Sequence, residues 1–193
     1  NCQDFQLQGL SHNLYDGCPG VALFLAALAK VTGNSDWRNL ALRTLQPLRH
    51  QLRDLNPEVV KELKRLGIGG TTGLGSIVYA LVQINHLVSD ADLIEDAQKV
   101  AHLITPELIN ADRNFDLMSG TAGAILACLK LYEVERSALE QAIACGEHLL
   151  ENQIRIGDQL KTGFSQGAAG IAYAFLRLFE VTQDSRFLKK EKK

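Results

Sequence analysis

Cysteine and histidine are the residue types in this sequence that could bind a metal or act as nucleophiles, so their spacing is a first test for chemistry. The four cysteines are Cys2, Cys18, Cys128 and Cys145. No two of them form a Cys-x-x-Cys pair and none stands next to a histidine, so no metal site is recognisable from spacing. Cys128 and Cys145 lie in apolar stretches, which predicts small core residues in a reducing, cytoplasmic protein.

The remaining polar candidates favour structural roles. The five histidines are scattered, and three of them fall in amphipathic stretches, where partly exposed histidines are usual. Asp16, beside Gly17, is expected to cap a helix. The segment GIGGTTGLG at 67–75 lacks the Lys-Ser/Thr of a phosphate loop and follows no strand, which argues against nucleotide binding. A net charge of −2 gives no basis for a nucleic-acid partner.

A repeated glycine motif is the strongest pattern in the chain. Segments 16–28, 69–81, 119–131 and 166–178 each contain Gly-x-x-Gly followed by an apolar run of helical length. The leading glycines Gly17, Gly70, Gly120 and Gly167 are separated by 53, 50 and 47 residues. Residues 31–37 and 181–187 also correspond, at an offset of 150, and both are typical of a turn followed by a helix start.

Two kinds of helix alternate along the sequence. The motif segments are apolar nearly all round, whereas 38–52, 90–104 and 136–150 carry one apolar stripe each. The first kind is expected to be buried on every face and the second to cover it. Such a pair repeated about an axis makes an α/α toroid, and repeated along a line it makes a solenoid. The longest apolar stretch, 20–31, is too short to cross a membrane.

Glycine at these helix starts has a structural and a chemical interpretation. It permits positive φ and close backbone approach in the entering turn, and Pro19 suits the first helical position. Tight packing of helix ends is sufficient to explain each glycine. Several helix N-termini around a common hollow would also gather N–H groups and positive dipole ends, which favour an anion such as a thiolate.

Three extended segments resemble the cyclase domain of lanthionine synthetases, most closely the bifunctional class II enzymes. They are LYDGCPGVALFLAAL at 14–28, FDLMSGTAGAI at 115–125 and TGFSQGAAGIAYAFLRL at 162–178. The resemblance implies an all-α fold, an α/α toroid of about seven helix pairs. Residues 1–193 would then be the N-terminal part of that domain, a partial ring of about four repeats.

The resemblance also implies a reaction, the addition of cysteine thiols of a precursor peptide to dehydroalanine or dehydrobutyrine. In the family a zinc ion held by two cysteines and a histidine activates the thiol, and these ligands lie in W-C-x-G and C-H-G motifs. This sequence contains neither motif, so we expect no metal or cofactor in the chain itself, zinc in the complete parent enzyme, and no activity of the chain alone.

Two residues map onto functional positions of the family. Asp116 corresponds to an aspartate near the reaction centre, where it would orient a proton donor or transfer a proton, or else interact with a helix dipole. Gln166 stands where the family usually has histidine. Glutamine cannot exchange protons at neutral pH, which suggests an altered acid–base step or an inactive cyclase.

Two other functions remain open at this stage. One is a non-catalytic helical-repeat scaffold that binds peptides in its concavity. The other is a toroidal glycosidase, for which Asp116 is the only plausible member of the required carboxylate pair. An incomplete ring would leave the fourth inner helix, 170–181, poorly covered, so self-association of the chain is a further expectation.

Overall fold

The computed structural model describes residues 9–152 and 162–188, and Cys2 lies outside these ranges. Ten α-helices follow one another in the described residues. They are α1 (Cys18–Thr32), α2 (Ser35–Thr44), α3 (Gln46–Arg53), α4 (Pro57–Lys64), α5 (Leu74–Val88), α6 (Asp92–His102), α7 (Pro106–Ala111), α8 (Thr121–Tyr132), α9 (Leu139–Glu151) and α10 (Ala168–Thr182).

The described residues form no β-strand, only an isolated bridge between Ser11 and Gly17. Short 3-10 turns at Arg136–Ala138 and Ser185–Phe187 complete the secondary structure. The all-α prediction is therefore confirmed. None of the helices in the described ranges is long and apolar enough to cross a membrane.

The helices form two layers, as predicted for the toroid class. Inner helices α1, α5, α8 and α10 contact one another in that order. Outer helices α2, α6 and α9 pack on α1, α5 and α8, respectively. Each glycine-led helix thus belongs to the inner layer, and α1, α5 and α8 are each covered by the amphipathic helix that follows them.

Burial differs between the middle and the ends of the inner row. The exposed large apolar residues of the described chain include none from α5 or α8. By contrast, Phe24 of α1 is 67% exposed and Leu176 of α10 is 43% exposed. The expectation that inner helices are buried on every face is correct for the large apolar residues of the middle pair. It is wrong for the end pair, because each end helix has an inner neighbour on one side only.

The second repeat begins three residues later than its glycines suggest. The residue preceding the first helical turn is Gly17 in α1, Gly120 in α8 and Gly167 in α10, but it is Gly73 and not Gly70 in α5. Buried Ser76 therefore occupies the place of the second glycine of the motif. Its hydroxyl donates to the carbonyl of Gly73 at 2.6 Å, which closes the first turn of α5.

The outer segment predicted at 38–52 is two helices. α2 ends at Thr44 and α3 begins at Gln46, with Pro47 in the first turn of α3. Proline has no N–H to donate and its ring clashes with the carbonyl four residues earlier, so a continuous helix cannot pass this point. The short helices α4 and α7 each begin at a proline, Pro57 and Pro106, and the apolar pattern did not predict them.

The turn shared by the first and last repeats is confirmed. Gly33 and Gln183 both end their helices in the left-handed region, with φ of 68° and 56°. Asn34 and Asp184 follow them, and each side chain accepts a hydrogen bond from the backbone N–H two residues later. The correspondence at an offset of 150 thus reflects one local structure formed twice.

Candidate functional site

The four loops that lead into the inner helices lie side by side at one end of the row. We call residues 9–17, 67–73, 112–120 and 162–167 the entry loops. A relay of backbone hydrogen bonds joins them: Tyr15 N–H donates to Thr71 C=O (3.1 Å), Thr71 N–H to Met118 C=O (3.0 Å), and Met118 N–H to Ser165 C=O (3.1 Å). Each of these residues stands two positions before the last residue ahead of its helix, so the loops are joined at equivalent points.

Further bonds reinforce the relay between the second and third entry loops. Gly70 N–H donates to the carbonyl of Leu117 at 3.0 Å, and the hydroxyl of Thr71 donates to the carbonyl of Met118 at 3.0 Å. Between the first and second repeats, the N–H of Leu14 donates to the Ser76 hydroxyl at 3.2 Å. The entry loops therefore form one hydrogen-bonded band that fixes where the inner helices begin.

Close backbone approach, and not positive φ, explains the motif glycines. The glycines that precede α1, α5, α8 and α10 have φ of −116°, −107°, −121° and −153°, so the expectation of positive φ is wrong for these four. It is correct for Gly67 in the second entry loop, which has a φ of 74°. A Cβ atom on Gly123 would overlap the carbonyl oxygen of Leu117 and the amide of Gly70. One on Gly170 would overlap the carbonyl oxygen of Phe164 in the same way. The second glycine thus leaves room for the loop that packs against it.

The N–H groups at the helix starts are largely used within the loops. In α5 the N–H groups of Leu74 and Ser76 donate to the carbonyls of Gly67 and Gly69, at 2.8 and 3.0 Å. In α8 the first N–H, that of Thr121, donates to Asp112 Oδ2 at 2.8 Å. The prediction that these helices present exposed N–H groups to a common hollow is therefore wrong for α5 and α8, and the helix dipoles are what remains to attract an anion.

Asp116 closes the turn that precedes α8. Its Oδ1 accepts a hydrogen bond from Ser119 N–H at 2.7 Å, and the side chain is half-buried. Asn13 occupies the equivalent position of the first entry loop, and its Oδ1 accepts from Asp16 N–H at 3.0 Å. A neutral amide therefore makes the same bond in another repeat. Within the described residues, Oδ2 of Asp116 accepts no hydrogen bond, and this oxygen is the part of the side chain that the turn does not use.

Gln166 is an exposed residue at the edge of the fourth entry loop. Its amide nitrogen lies 3.6 Å from the sulfur of Met118, which is two residues from Asp116. The structure thus brings the third and fourth entry loops together, so that the two residues singled out from the sequence lie on adjacent loops. Residues equivalent to Gln166 in the other loops are also polar: Asp16, Thr72 and Ser119.

Asp112 and His148 are structural residues of this region that the sequence did not reveal. The Asp112 carboxylate accepts from the N–H groups of Thr121 (2.8 Å) and Phe115 (3.2 Å) and holds Phe115 at a φ of 61°. His148 stacks on the Phe115 ring, with centroids 5.7 Å apart, and its Nε2 lies 3.3 Å from the Asp112 carbonyl. At 5% exposure His148 is buried, so the expectation of a surface histidine is wrong here. No motif marks these contacts, because they join α9 to a loop 36 residues earlier.

Asp16 does not cap α1. Gly17 precedes the helix and no side chain caps it, whereas Asp16 accepts a hydrogen bond from the Ser11 hydroxyl at 2.9 Å. The expected cap is wrong because Asn13 already accepts the N–H of Asp16 and turns the loop before the helix begins. Pro19 does stand in the first turn of α1, as predicted.

The described residues do not fit a zinc site. No group of three or more His, Cys, Asp or Glu side chains in the described ranges could hold a metal ion. Cys128 and Cys145 are fully buried, and burial raises the pKa of the Cys128 thiol to about 12 and that of Cys145 well above its usual range. Both thiols are therefore neutral core groups and not thiolate ligands.

Comparison with known proteins gives two matches. A family model described as lanthionine synthetase C-like protein matches residues 9–193. A protein of Danio rerio named glutathione S-transferase LANCL1 is 29% identical over 156 residues, which cover 72% of this chain and 37% of the relative. The aligned part is thus a little over a third of the length of the curated relative that it matches.

Proposed function

Because the chain belongs to the lanthionine synthetase C-like family, we propose that it forms part of a protein that adds a cysteine thiol to dehydroalanine or dehydrobutyrine in a peptide. The observation that carries this proposal is the band of entry loops, in which Asp116 and Gln166 lie on adjacent loops at the ends of inner helices. The family match covers all of the described residues, including every entry loop.

The reaction is an addition with no leaving group. The sulfur bonds to the β-carbon of the dehydro residue, the π electrons move to the α-carbon, and that carbon takes up a proton. The thiol proton goes to a base, so the product has the same mass as the substrate when both groups belong to one peptide. A carboxylate such as Asp116 is suited to accept or direct a proton, and the positive ends of the inner helices favour the thiolate.

Gln166 provides a hydrogen bond and not a proton in this proposal, because an amide side chain does not titrate at neutral pH. We propose a peptide precursor as the substrate, because three segments resemble class II enzymes most closely. They are 14–28, 115–125 and 162–178. Thiol activation by zinc is the chemistry that the family resemblance implies. The described residues offer no ligand set for zinc.

The test is a cyclisation assay on the intact parent protein with zinc present. The substrate is a peptide that contains one dehydroalanine and one cysteine, and the mixture is then treated with a thiol-alkylating reagent. Cyclised peptide keeps its mass and resists alkylation, whereas uncyclised peptide gains the mass of the alkyl group. Binding of the peptide without protection from alkylation would contradict the enzyme hypothesis and support the peptide-binding scaffold.

A second candidate reaction uses glutathione as the thiol, and the name of the Danio rerio relative, glutathione S-transferase LANCL1, favours it. This reaction also adds a thiol sulfur to the double bond of dehydroalanine, but the thiol and the dehydroalanine belong to two separate molecules. The same assay distinguishes it, because a dehydroalanine peptide without cysteine would gain the mass of glutathione when glutathione is supplied. No gain in mass under these conditions would rule out this alternative.

A further inference from the structure

A cavity of about 570 Å³ opens between α5, α8 and α10, away from the entry loops. Three tyrosines line it, Tyr79 from α5, Tyr132 from α8 and Tyr173 from α10. None of the entry-loop residues contributes to its wall. The volume is within the range of sites that bind small molecules or short peptide segments, so the lining charges determine which ligands fit.

Positive charge exceeds negative charge at this cavity. Lys130, Arg136 and Arg177 line it, and in the described part of the chain Glu133 is the one lining carboxylate. The Lys130 ammonium lies 2.5 Å from that carboxylate, so these two charges neutralise each other. The Arg136 guanidinium lies over the Tyr132 ring, 4.5 Å from its centroid, and no carboxylate of the described residues lies within ion-pair distance of it.

Arg177 has a carboxylate partner but retains unused donors. Its Nε lies 2.9 Å from the Glu180 carboxylate, and its Nη1 donates to the Tyr173 hydroxyl at 3.3 Å. A guanidinium has five N–H donors, so these two contacts leave several available. Among the described residues, three cations therefore meet two carboxylates at this site, and both guanidinium groups have N–H donors that make no hydrogen bond to them, next to tyrosine rings.

A second cavity, of about 230 Å³, lies between this site and the entry loops. It shares Tyr79 and Leu126 with the larger cavity and is otherwise lined by residues that include Leu14, Thr71 and Leu117 of the entry loops. Arg177 lies ten residues beyond Gly167 along the α10 segment. At the helical rise per residue the cationic end is about 15 Å from the entry loops.

We call the two cavities together the groove. We propose that the groove binds an acidic segment of the peptide substrate. Arg136 and Arg177 hold an aspartate or glutamate carboxylate of this segment, and its neighbouring side chains pack on the tyrosine rings. That the ligand is a peptide rests on the proposed function, whereas its acidic character rests on the charges of the groove. An extended chain covers about 15 Å in four to five residues. The acidic residue is therefore separated by about that number of residues from the residue held at the entry loops.

The surplus of a single positive charge favours a carboxylate over a polyanion. A site for nucleic acid needs several unpaired cations along a surface, whereas here two of the five charged groups are acidic. Tyrosine rings next to guanidinium groups suit a peptide, whose apolar side chains contact the rings while its carboxylate accepts bidentate hydrogen bonds.

The test uses two dye-labelled synthetic peptides with blocked ends, one with glutamates flanked by leucine and phenylalanine and one with each glutamate replaced by glutamine. Fluorescence anisotropy measures their binding to the full chain. We expect the glutamate peptide to bind about tenfold more tightly, since charge-assisted hydrogen bonds are the stronger class. Its affinity is expected to fall as salt is added.

Variants Arg136→Gln and Arg177→Gln identify the groove. Each is expected to weaken binding of the glutamate peptide about tenfold, while the control Arg43→Gln on the exposed face of α2 leaves it unchanged. Circular dichroism checks that each variant keeps its helices. Three results would each overturn the inference. They are equal affinity for the two peptides, unchanged affinity in both groove variants, and full competition by free glutamate. Because binding is measured without any thiol chemistry, a failed cyclisation assay leaves this result interpretable.

Discussion

Asp116 and Asn13 close the same turn in two repeats. Two roles are proposed for Asp116, closing this turn and transferring a proton, and an asparagine can perform only the first. Replacing Asp116 with asparagine preserves an acceptor for Ser119 N–H, as Asn13 provides for Asp16 N–H, and removes only the carboxylate. We expect Asp116→Asn to unfold at the same temperature as the unchanged protein and to lose thiol addition by about a hundredfold, the lower range for acid–base groups.

Two controls accompany this variant, with rates from the cyclisation assay and unfolding followed by circular dichroism. Asp116→Ala removes the turn bond as well and should lower stability by about 1 kcal/mol, the usual value of a lost cap-type bond. Asn13→Asp should leave the rate unchanged. If Asp116→Asn retains the full rate, the aspartate closes the turn and takes no part in proton transfer.

Gly123 is the glycine whose replacement has the clearest physical consequence. A Cβ at this position overlaps the Leu117 carbonyl and the Gly70 amide, which are hydrogen-bonded to each other between two entry loops. Because both are backbone groups, the alanine cannot be accommodated by a change of rotamer. We expect Gly123→Ala to lower the free energy of unfolding by about 3 kcal/mol, measured by urea denaturation. Gly163→Ala, whose Cβ would meet open space, should change it little.

We expect His12 to give the protein a pH-dependent stability, with a sign that follows from its burial. Burial lowers the pKa of His12, and the opposing effects of Glu62 and Gln51 are smaller. The unfolded chain therefore binds a proton at higher pH than the folded chain, so stability is complete above the unfolded pKa of about 6.5 and decreases as the pH falls through it. Urea midpoints at about pH 7.5 and pH 5.5 measure this loss.

The variant His12→Gln should reduce the difference between the two midpoints, and His86→Gln, an exposed position on α5, should not. Carboxylates with lowered pKa, such as Asp184 and Glu135, lose their contribution only at lower pH. A midpoint that rises toward pH 5.5 would contradict the assigned direction.

At the level of helices, Arg49 joins the outer layer of the first repeat to that of the second. It is buried, and its guanidinium donates to Asp96 at 2.9 Å and to Asp92 at 3.1 Å, both on α6. Removing one partner of a buried ion pair leaves an uncompensated charge. We expect Arg49→Met to destabilise the protein by about 3–5 kcal/mol.

The double variant Arg49→Met/Asp96→Leu should recover most of this loss, since apolar packing replaces the pair. Urea denaturation of the two single variants and the double variant gives the coupling energy between Arg49 and Asp96. If the destabilisation of the double variant equals the sum for the two single variants, the interaction between Arg49 and Asp96 contributes little to stability.

The sequence predicts the alternation of inner and outer helices because burial on all sides and burial on one side leave different apolar patterns. It does not predict the start of α5, since segment 67–75 contains five glycines and their spacing cannot distinguish which of them precedes the helix. The relay bond at Thr71 determines this start. The contacts of Asp112 and His148 were likewise hidden, because they depend on how α9 packs against a distant loop.

For the site, the family resemblance predicts roles for Asp116 and Gln166, and the structure adds that their loops are adjacent. The glycine pattern predicted crowded helix starts, but it did not predict that loop carbonyls and Asp112 would use the N–H groups of α5 and α8. The number of N–H groups left to attract an anion is thus set by hydrogen bonds within the entry loops. The conformation of each loop depends in turn on the neighbouring repeat.

At the scale of the whole molecule, apolar side chains are exposed at the two ends of the inner row. Tyr15 and Phe24 at the α1 end are 70% and 67% exposed, and Phe164 and Leu176 at the α10 end are 56% and 43% exposed. Exposed apolar patches of this kind are typical of surfaces that are covered by another part of a protein or by a partner. The middle helices α5 and α8 have no such residues among those described.

We therefore expect the 193-residue chain to self-associate through its end helices. Sedimentation velocity over a range of concentrations should show a rising mean mass, because association driven by apolar burial increases with concentration. Phe24→Glu and Leu176→Glu should each reduce association, since a charge placed in an apolar contact opposes burial. Leu40→Glu, at a 41% exposed position on outer helix α2, should not. A chain that stays monomeric at the highest concentration would show that these faces do not bind each other.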